Sequence, residues 1–320
     1  MTSSQPSTRR PRFRKIARIA CAIAAVAILL LIFVHANRPA SVKAYFWAEQ
    51  TLIEHWPRAL GKNAVEQFAI TTAVPNLCRA GILGPARIQV EPGISFLLDP
   101  RDLIAVSILR GGEWQPEIWE ALAPVLPEGS VFLDVGAHIG YFSMKASKKI
   151  GSTGKVLAFE PNPETLKLLR ENVQVNQTAN VMVEPIACTS REQTLTFWAS
   201  ASFNTGMSSL ARENADITYK EPPRPYQVRA RRIDDVIREM NLARVDAIKV
   251  DVEGAEVEAL RGALGTLRRF HPKLVVEVDV RQLAAFKTTP AELASTIKGA
   301  GYTHGAPLNP GGTDWAWTMQ

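Results

Sequence analysis

"VFLDVGAHIGYFSMKAS", residues 131–147, joins an apolar run ending in Asp134 to two glycines, Gly136 and Gly140, and then to an amphipathic continuation. The run predicts a buried strand and the continuation a helix, so the glycine-bearing bend is a strand-to-helix turn. Gly136 lets the backbone turn tightly and approach a ligand, and Gly140 lets the helix start close to the sheet. The first free N–H groups of that helix point into the same gap, and Asp134 at the strand tip adds a carboxylate within reach of it.

Outward from this bend the pattern repeats. "KVLAFEP", "VMVEPIA", "VDAIKVDV" and "KLVVEVD" read as further strands, and "PETLKLLRENVQVN", "RIDDVIREMN" and "EVEALRGALGTLRRF" as the helices between them. Apolar strands separated by helices require crossover connections and parallel pairing, with helices on both faces. The fold class is therefore a doubly wound α/β sheet, whose ligand lies beyond the carboxyl ends of the strands where the winding reverses. Upstream, "ARIQVEPGISFLLDP" predicts two strands around Glu91-Pro92-Gly93, and "EIWEALAPVLPEG" a short helix. "AYFWAEQTLIEHW" and "KNAVEQFAITTAV" have helical spacing and form a stalk or cover.

The bend is spaced Asp-x-Gly-x-x-x-Gly, unlike the Gly-x-Gly-x-x-Gly of dinucleotide sites, whose second glycine makes room for a pyrophosphate. An acid beside the glycines suits a cation or a hydroxyl donor. The second strand ends in Glu160, where a carboxylate can accept both hydroxyls of a ribose. A ligand with a ribose, a positive charge and no phosphate is S-adenosylmethionine. "GSTGK" at 151–155 mimics a phosphate loop but runs from helix into strand.

Composition bounds the partners. Of 320 residues, 46% are hydrophobic and 21% charged, as in globular chains. The formal charge of +6 sits at the front: residues 1–43 carry Arg9, Arg10, Arg12, Arg14, Lys15, Arg18, Arg38 and Lys43 and no acid, which leaves 29 of the 37 basic residues against all 31 acidic ones. A nucleic-acid partner has no basic face to meet. Cys21, Cys78 and Cys188 form neither a disulfide framework nor a metal-type pair. "IARIACAIAAVAILLLIFV", residues 16–34, gives ~28 Å of helix against the ~30 Å apolar thickness of a bilayer, so an uncleaved transmembrane helix is expected there. The expected order is a basic flank 1–15, the transmembrane helix 16–34, a stalk and N-terminal cover 35–93 and the catalytic domain 94–320. The basic flank favours a cytoplasmic N-terminus, which would put the domain opposite the compartment where S-adenosylmethionine is made, so the side of the membrane stays open.

Four stretches carry a family resemblance: residues 94–143, "AFEPNPETLKLLRENVQVN" (158–176), "NTGMSSL" (204–210) and "VDAIKVDVEGAEVEALRGA" (245–263). In order and spacing they resemble FkbM-type S-adenosylmethionine-dependent methyltransferases, from about Ile94 to Val278. The resemblance implies a mostly parallel seven-stranded, Rossmann-like methyltransferase sheet and methyl transfer, usually to an oxygen on a sugar or secondary metabolite. It implies that Asp134, Gly136 and Gly140 hold the methionine end, Glu160 the ribose, and Ile186 and Ala187 the adenine. Asp251 would face the transferring methyl group. His138 stands where the family often has asparagine and shares the cofactor loop. Glu253, two residues past Asp251, is either catalytic or a helix cap, and Glu277 and Asp279 add carboxylates to the same rim. No histidine joins them, so no metal is assigned. Residues 200–226 form the expected lid over a small-molecule or glycan acceptor, and Arg229, Arg231 and Arg232 a solvated strand edge. A nicotinamide-dependent oxidoreductase and a non-catalytic cofactor-binding module at the membrane are the alternatives. Oligomeric state is not legible.

Overall fold

A computed structural model of the chain describes residues 38–54, 77–78, 83–200, 204–216 and 222–319. The basic flank 1–15, the apolar span 16–34 and "KNAVEQFAITTAV" lie outside the described residues. Among those described, no helix is long and apolar enough to cross a membrane. The chain divides into two compact units, residues 1–86 with 99–101 and residues 87–98 with 102–320. In the first, helix α1 (Arg38–Glu54) sets the rings of Tyr45 and Phe46 edge to face at 5.1 Å.

The second unit holds the expected sheet. A hairpin comes first, β1 (Ala86–Glu91) with β2 (Ile94–Leu98), followed by α2 (Leu103–Gly111) and α3 (Pro116–Leu122). Then come β3 (Val131–Val135), α4 (Tyr141–Ile150), β4 (Lys155–Phe159), α5 (Pro163–Asn176) and β5 (Val181–Glu184). The chain continues through β6 (Ile186–Cys188), β7 (Gln193–Ala199), α6 (Arg212–Ala215), β8 (Arg224–Arg231) and α7 (Ile233–Glu239). It ends with β9 (Ala247–Val250), α8 (Glu256–Arg261), α9 (Leu264–Phe270), β10 (Lys273–Glu277), α10 (Val280–Ala285), α11 (Pro290–Gly299), β11 (His304–Pro307) and β12 (Asp314–Thr318). The hairpin docks on α5, whose Asn172 and Asn176 accept the β2 N–H groups of Leu97 and Ser95 at 2.7 and 2.8 Å.

The main sheet has seven strands in the order β11-β12-β10-β9-β3-β4-β5. β10, β9, β3, β4 and β5 run parallel, and β12 is antiparallel to β10. All five residues of β3 are buried, as expected of a strand covered on both faces. From β3 the chain winds to β4 and β5, then returns to β9 on the other side, so the winding reverses between β3 and β9. Their tips lie in register, with Val135 opposite Val250.

Three expectations are corrected. "VMVEPIA" is two strands in different sheets, because Pro185 supplies no N–H to continue the ladder; β6 joins β8 and β7 in a three-stranded sheet. "EVEALRGALGTLRRF" is two helices, parted where a side chain on Gly262 would meet the Thr189 carbonyl at 2.1 Å. β8 is the middle strand of the small sheet and not an edge, and its arginines are paired: Arg229 with Glu192, Arg231 with Glu239, and the following Arg232 with Asp234.

Candidate active site

A cavity of about 270 Å³ opens at the winding reversal. One wall is the β3–α4 loop, whose main chain is held by several hydrogen bonds. The N–H groups of Gly136 and Ala137 both donate to the Phe159 carbonyl, at 3.0 and 2.9 Å, and the Asp251 N–H donates to the Val135 carbonyl at 3.0 Å. Gly136 has φ +82°, and a Cβ there would lie 1.8 Å from the Asp251 carbonyl oxygen. Only glycine lets the tips of β3 and β9 touch in this way.

Glu160 closes β4. One of its oxygens accepts the His138 N–H at 2.8 Å and the other the Asn162 N–H at 2.8 Å, which fixes the carboxylate on the cavity wall. Burial raises the Glu160 carboxyl above its ordinary value, and His138 and these N–H groups pull it back. His138 adopts φ +51°, a left-handed conformation uncommon outside glycine, asparagine and aspartate. Its Nε2 bonds the Thr205 hydroxyl at 2.8 Å, and that hydroxyl donates to the Asp102 carboxylate. With the Thr205 hydrogen committed to Asp102, His138 Nε2 donates to the Thr205 oxygen, and its Nδ1 is buried without a hydrogen-bond partner among the described residues.

The opposite wall is acidic. Asp251, Glu253 and Glu277 each place a carboxylate oxygen within 4.8 Å of the others. Lys249, only 3% exposed, bonds Asp251 at 2.8 Å. Burial pulls the Lys249 ammonium down, but Asp251 and Asp134 outweigh it and hold the group above its ordinary value. Glu253 has φ +55°, and its carbonyl is held by Ser209 Oγ at 2.8 Å and Asn214 Nδ2 at 2.9 Å. Burial first, then the neighbouring Asp251, raise both the Glu253 and the Glu277 carboxyls well above the usual range. The loop is folded by Glu256, which accepts the N–H groups of Val252 and Gly254 at 3.1 and 3.0 Å.

The Methyltransferase FkbM domain family matches residues 134–303, more than half of the chain. The chain belongs to the FkbM methyltransferase family. It is an S-adenosylmethionine-dependent methyltransferase, and that assignment removes the oxidoreductase alternative. Among curated relatives, Methyltransferase 1 of Beauveria bassiana is 27% identical over 188 residues, 55% of this chain and 74% of that protein. Methyltransferase sdnD of Sordaria araneosa is 31% identical over 164 residues, 43% of this chain and 61% of its own length. The solved FkbM methyltransferase of Methylobacillus flagellatus is 16% identical with a TM-score of 0.38, the match covering 80% of this chain and 60% of that one.

The FkbM fold brings most of the expected residues together. Gly136, His138, Glu160, Ile186, Ala187, Asp251, Glu253 and Glu277 all line the cavity. Asp134 and Gly140 do not. Asp134, 1% exposed, sits behind the loop, where it accepts from Ser143 Oγ at 2.6 Å; burial raises its carboxyl, against Lys249 and Ser143. Gly140 is the N-cap residue of α4. Asp279 also leaves the rim: it caps α10 by accepting the N–H groups of Arg281 and Gln282 at 2.7 and 3.2 Å. The helix-cap reading of Glu253 is not realised, because its carboxylate accepts from Gln282 Nε2. Sequence reasoning missed Lys249, Glu256 and Gln282. Lys249 had a signal, a lone lysine inside the apolar run "AIKV" of a strand buried on both faces, which requires a partner. From the expected lid, Asn204, Thr205, Gly206, Met207, Ser208 and Leu210 line the cavity.

Proposed function

We propose that the methyltransferase methylates a hydroxyl oxygen of a small molecule or glycan, and that residues 16–34 hold it at a membrane. The observation that carries the first part is the contact of Gly136 with Asp251, which sets a carboxylate pair, Asp251 and Glu253, directly across from the cofactor wall. Glu160, its two oxygens held in place by the His138 and Asn162 N–H groups, and the buried, unpartnered His138 Nδ1 fit the hydroxyl-rich end of S-adenosylmethionine. When bound, that cofactor supplies a methyl group on a sulfonium, and its C–S bond breaks with the electron pair left on sulfur. Asp251 orients the acceptor hydroxyl and takes its proton as the C–O bond forms. The lid residues 204–210 exclude water, and alignment supplies much of the rate, since effective molarities contribute ~7 to 11 kcal/mol.

A sugar acceptor is supported by the Hexuronic acid methyltransferase AglP of Haloferax volcanii, 27% identical over 162 residues, 50% of this chain and 59% of that protein. Incubation of the full chain with methyl-labelled cofactor and fractionated extract tests the reading: label must enter a methyl ether. Label recovered on nitrogen or carbon overturns it. The membrane part is tested by carbonate extraction of the full-length protein, which must stay in the pellet, and protease added to intact vesicles reports the side.

A further inference from the structure

We propose that Asp251, Glu253 and Glu277 bind one hard divalent cation, with the Gln282 carboxamide as a further oxygen donor. This inference rests on the hydroxyl-acceptor reading, because the cation's open position is where the acceptor oxygen would bind.

The geometry admits an ion. The three carboxylates come from the tip of β9, the loop after it and the tip of β10, and their ligand atoms lie within 4.8 Å of one another. Opposite oxygen ligands of Mg²⁺ stand ~4.2 Å apart, and those of Ca²⁺ ~4.6 to 5.2 Å. An all-oxygen set suits these ions and Mn²⁺, and does not select zinc. Like charges this close are unfavourable without a compensating cation, and the buried ammonium of Lys249 is directed at Asp251.

Acidic clusters are common without a metal, so the case turns on a separate side chain. Gln282 belongs to α10 and is 6% exposed, its carboxamide is turned onto Glu253 through Nε2, and its Oε1 is buried with no hydrogen-bond partner. A buried amide oxygen left without a donor is costly. A cation among the carboxylates beside it satisfies that oxygen, which no acidic neighbour in its ionised form does. Glu277 Oε2 is likewise buried and unpartnered. Two orphaned oxygens therefore belong to residues lining the same cavity, in a cluster where the donors of Lys249 and Gln282 are spent on Asp251 and Glu253 and three carboxylates leave excess negative charge.

Three carboxylates and an amide leave coordination positions of a six-coordinate ion free. An acceptor hydroxyl in one of them is acidified by the ion and held against Asp251, the Lewis-acid role of a metal in group transfer.

The test uses the full-length protein saturated with S-adenosylhomocysteine and titrated with MnCl₂, with free Mn²⁺ read by electron paramagnetic resonance. One Mn²⁺ per chain is expected, displaced by Mg²⁺ and weakened at least tenfold in Glu277→Gln and in Gln282→Leu. Two variants on different elements guard against a folding defect in either, and unchanged S-adenosylhomocysteine affinity certifies each. The inference is overturned by absence of saturable Mn²⁺ binding up to millimolar concentration. It is equally overturned by binding that both variants leave within twofold, or by S-adenosylhomocysteine competing with Mn²⁺, which would assign the carboxylates to the cofactor's ammonium group. Methyl ether formation unchanged after chelation removes the ion from the reaction and leaves the hydroxyl reading standing. Label found on nitrogen sinks the hydroxyl reading, whatever the Mn²⁺ result.

Discussion

Glu160 and Glu277 end β4 and β10 on the same edge of one sheet, yet they are treated in opposite ways. Each oxygen of Glu160 receives a main-chain N–H, whereas Glu277 keeps a buried oxygen with no donor. The wall proposed to hold the cofactor is thus fixed by backbone, whose positions the sheet register sets before any ligand arrives. The wall proposed to meet the acceptor is built from side-chain charge, and its Glu277 oxygen is left without a donor. Preorganisation and reactivity are separated across the gap between β3 and β9.

The contact of the two walls is the place to break this contrast. Gly136→Val pushes a side chain into the Asp251 carbonyl at a positive φ. It should destabilise the fold by about 3 kcal/mol or more and abolish S-adenosylhomocysteine binding in calorimetry. Wild-type stability would show that the walls do not touch. On the backbone-built side, Glu160→Ala should weaken S-adenosylhomocysteine by ~2 to 4 kcal/mol, since charge-assisted bonds to a buried ribose go unmade. On the acidic side, Asp251→Asn should cost ~10² in turnover with cofactor affinity nearly unchanged. If both parameters fall together, Asp251 belongs to the cofactor wall.

A smaller effect comes from pH. Burial raises the Glu256 carboxyl to about 7, so above the ordinary value of 4.5 the unfolded chain releases a proton that the folded chain keeps. This contribution is complete below about pH 4.5 and is lost as pH rises through 7, a decline on the order of 3 kcal/mol. Urea midpoints at pH 5 and pH 8 in a chelator should show it, and Glu256→Gln should flatten it; an equal slope in the variant refutes the assignment. The least effect is expected far from both walls. Arg229→Ala removes an exposed pair with Glu192 and should move the melting temperature by less than about 2 °C.

Periodicity exposed the parallel strands because strands covered on both faces must be apolar throughout, and the acids at their tips stand out against that run. β11 and β12 gave no such signal. β11 is a four-residue stretch ending in Pro307, with all its side chains exposed. The displacement of β6 into the small sheet depended on pairing with β8, some forty residues away, which no local pattern carries. At the site, chain order identified which carboxylates reach the carboxyl edge, and it failed on direction. Asp134 and Asp251 both sit at strand tips. The loop after β3 covers the first, while the second opens onto the cavity. Lys249, Glu256 and Gln282 act through bonds across elements, and spacing alone does not show which partner a buried polar group finds.

The small sheet bears on how such an enzyme could be retargeted. The lid leaves β7 and returns in β8, two antiparallel neighbours whose ladder runs from Gln193–Ala230 to Ala199–Arg224. No strand of the seven-stranded sheet begins or ends inside that excursion. Residues can therefore be exchanged, inserted or removed there without shifting the register that places Glu160, Asp251 and Glu277. The lid is mounted on its own frame but is tied to the site at three points: Thr205 bonds His138, and Ser209 and Asn214 hold the Glu253 carbonyl. A library confined to the segment between Ala199 and Arg224 that keeps those three residues would explore new acceptors while leaving the cofactor loop and the acidic edge in place.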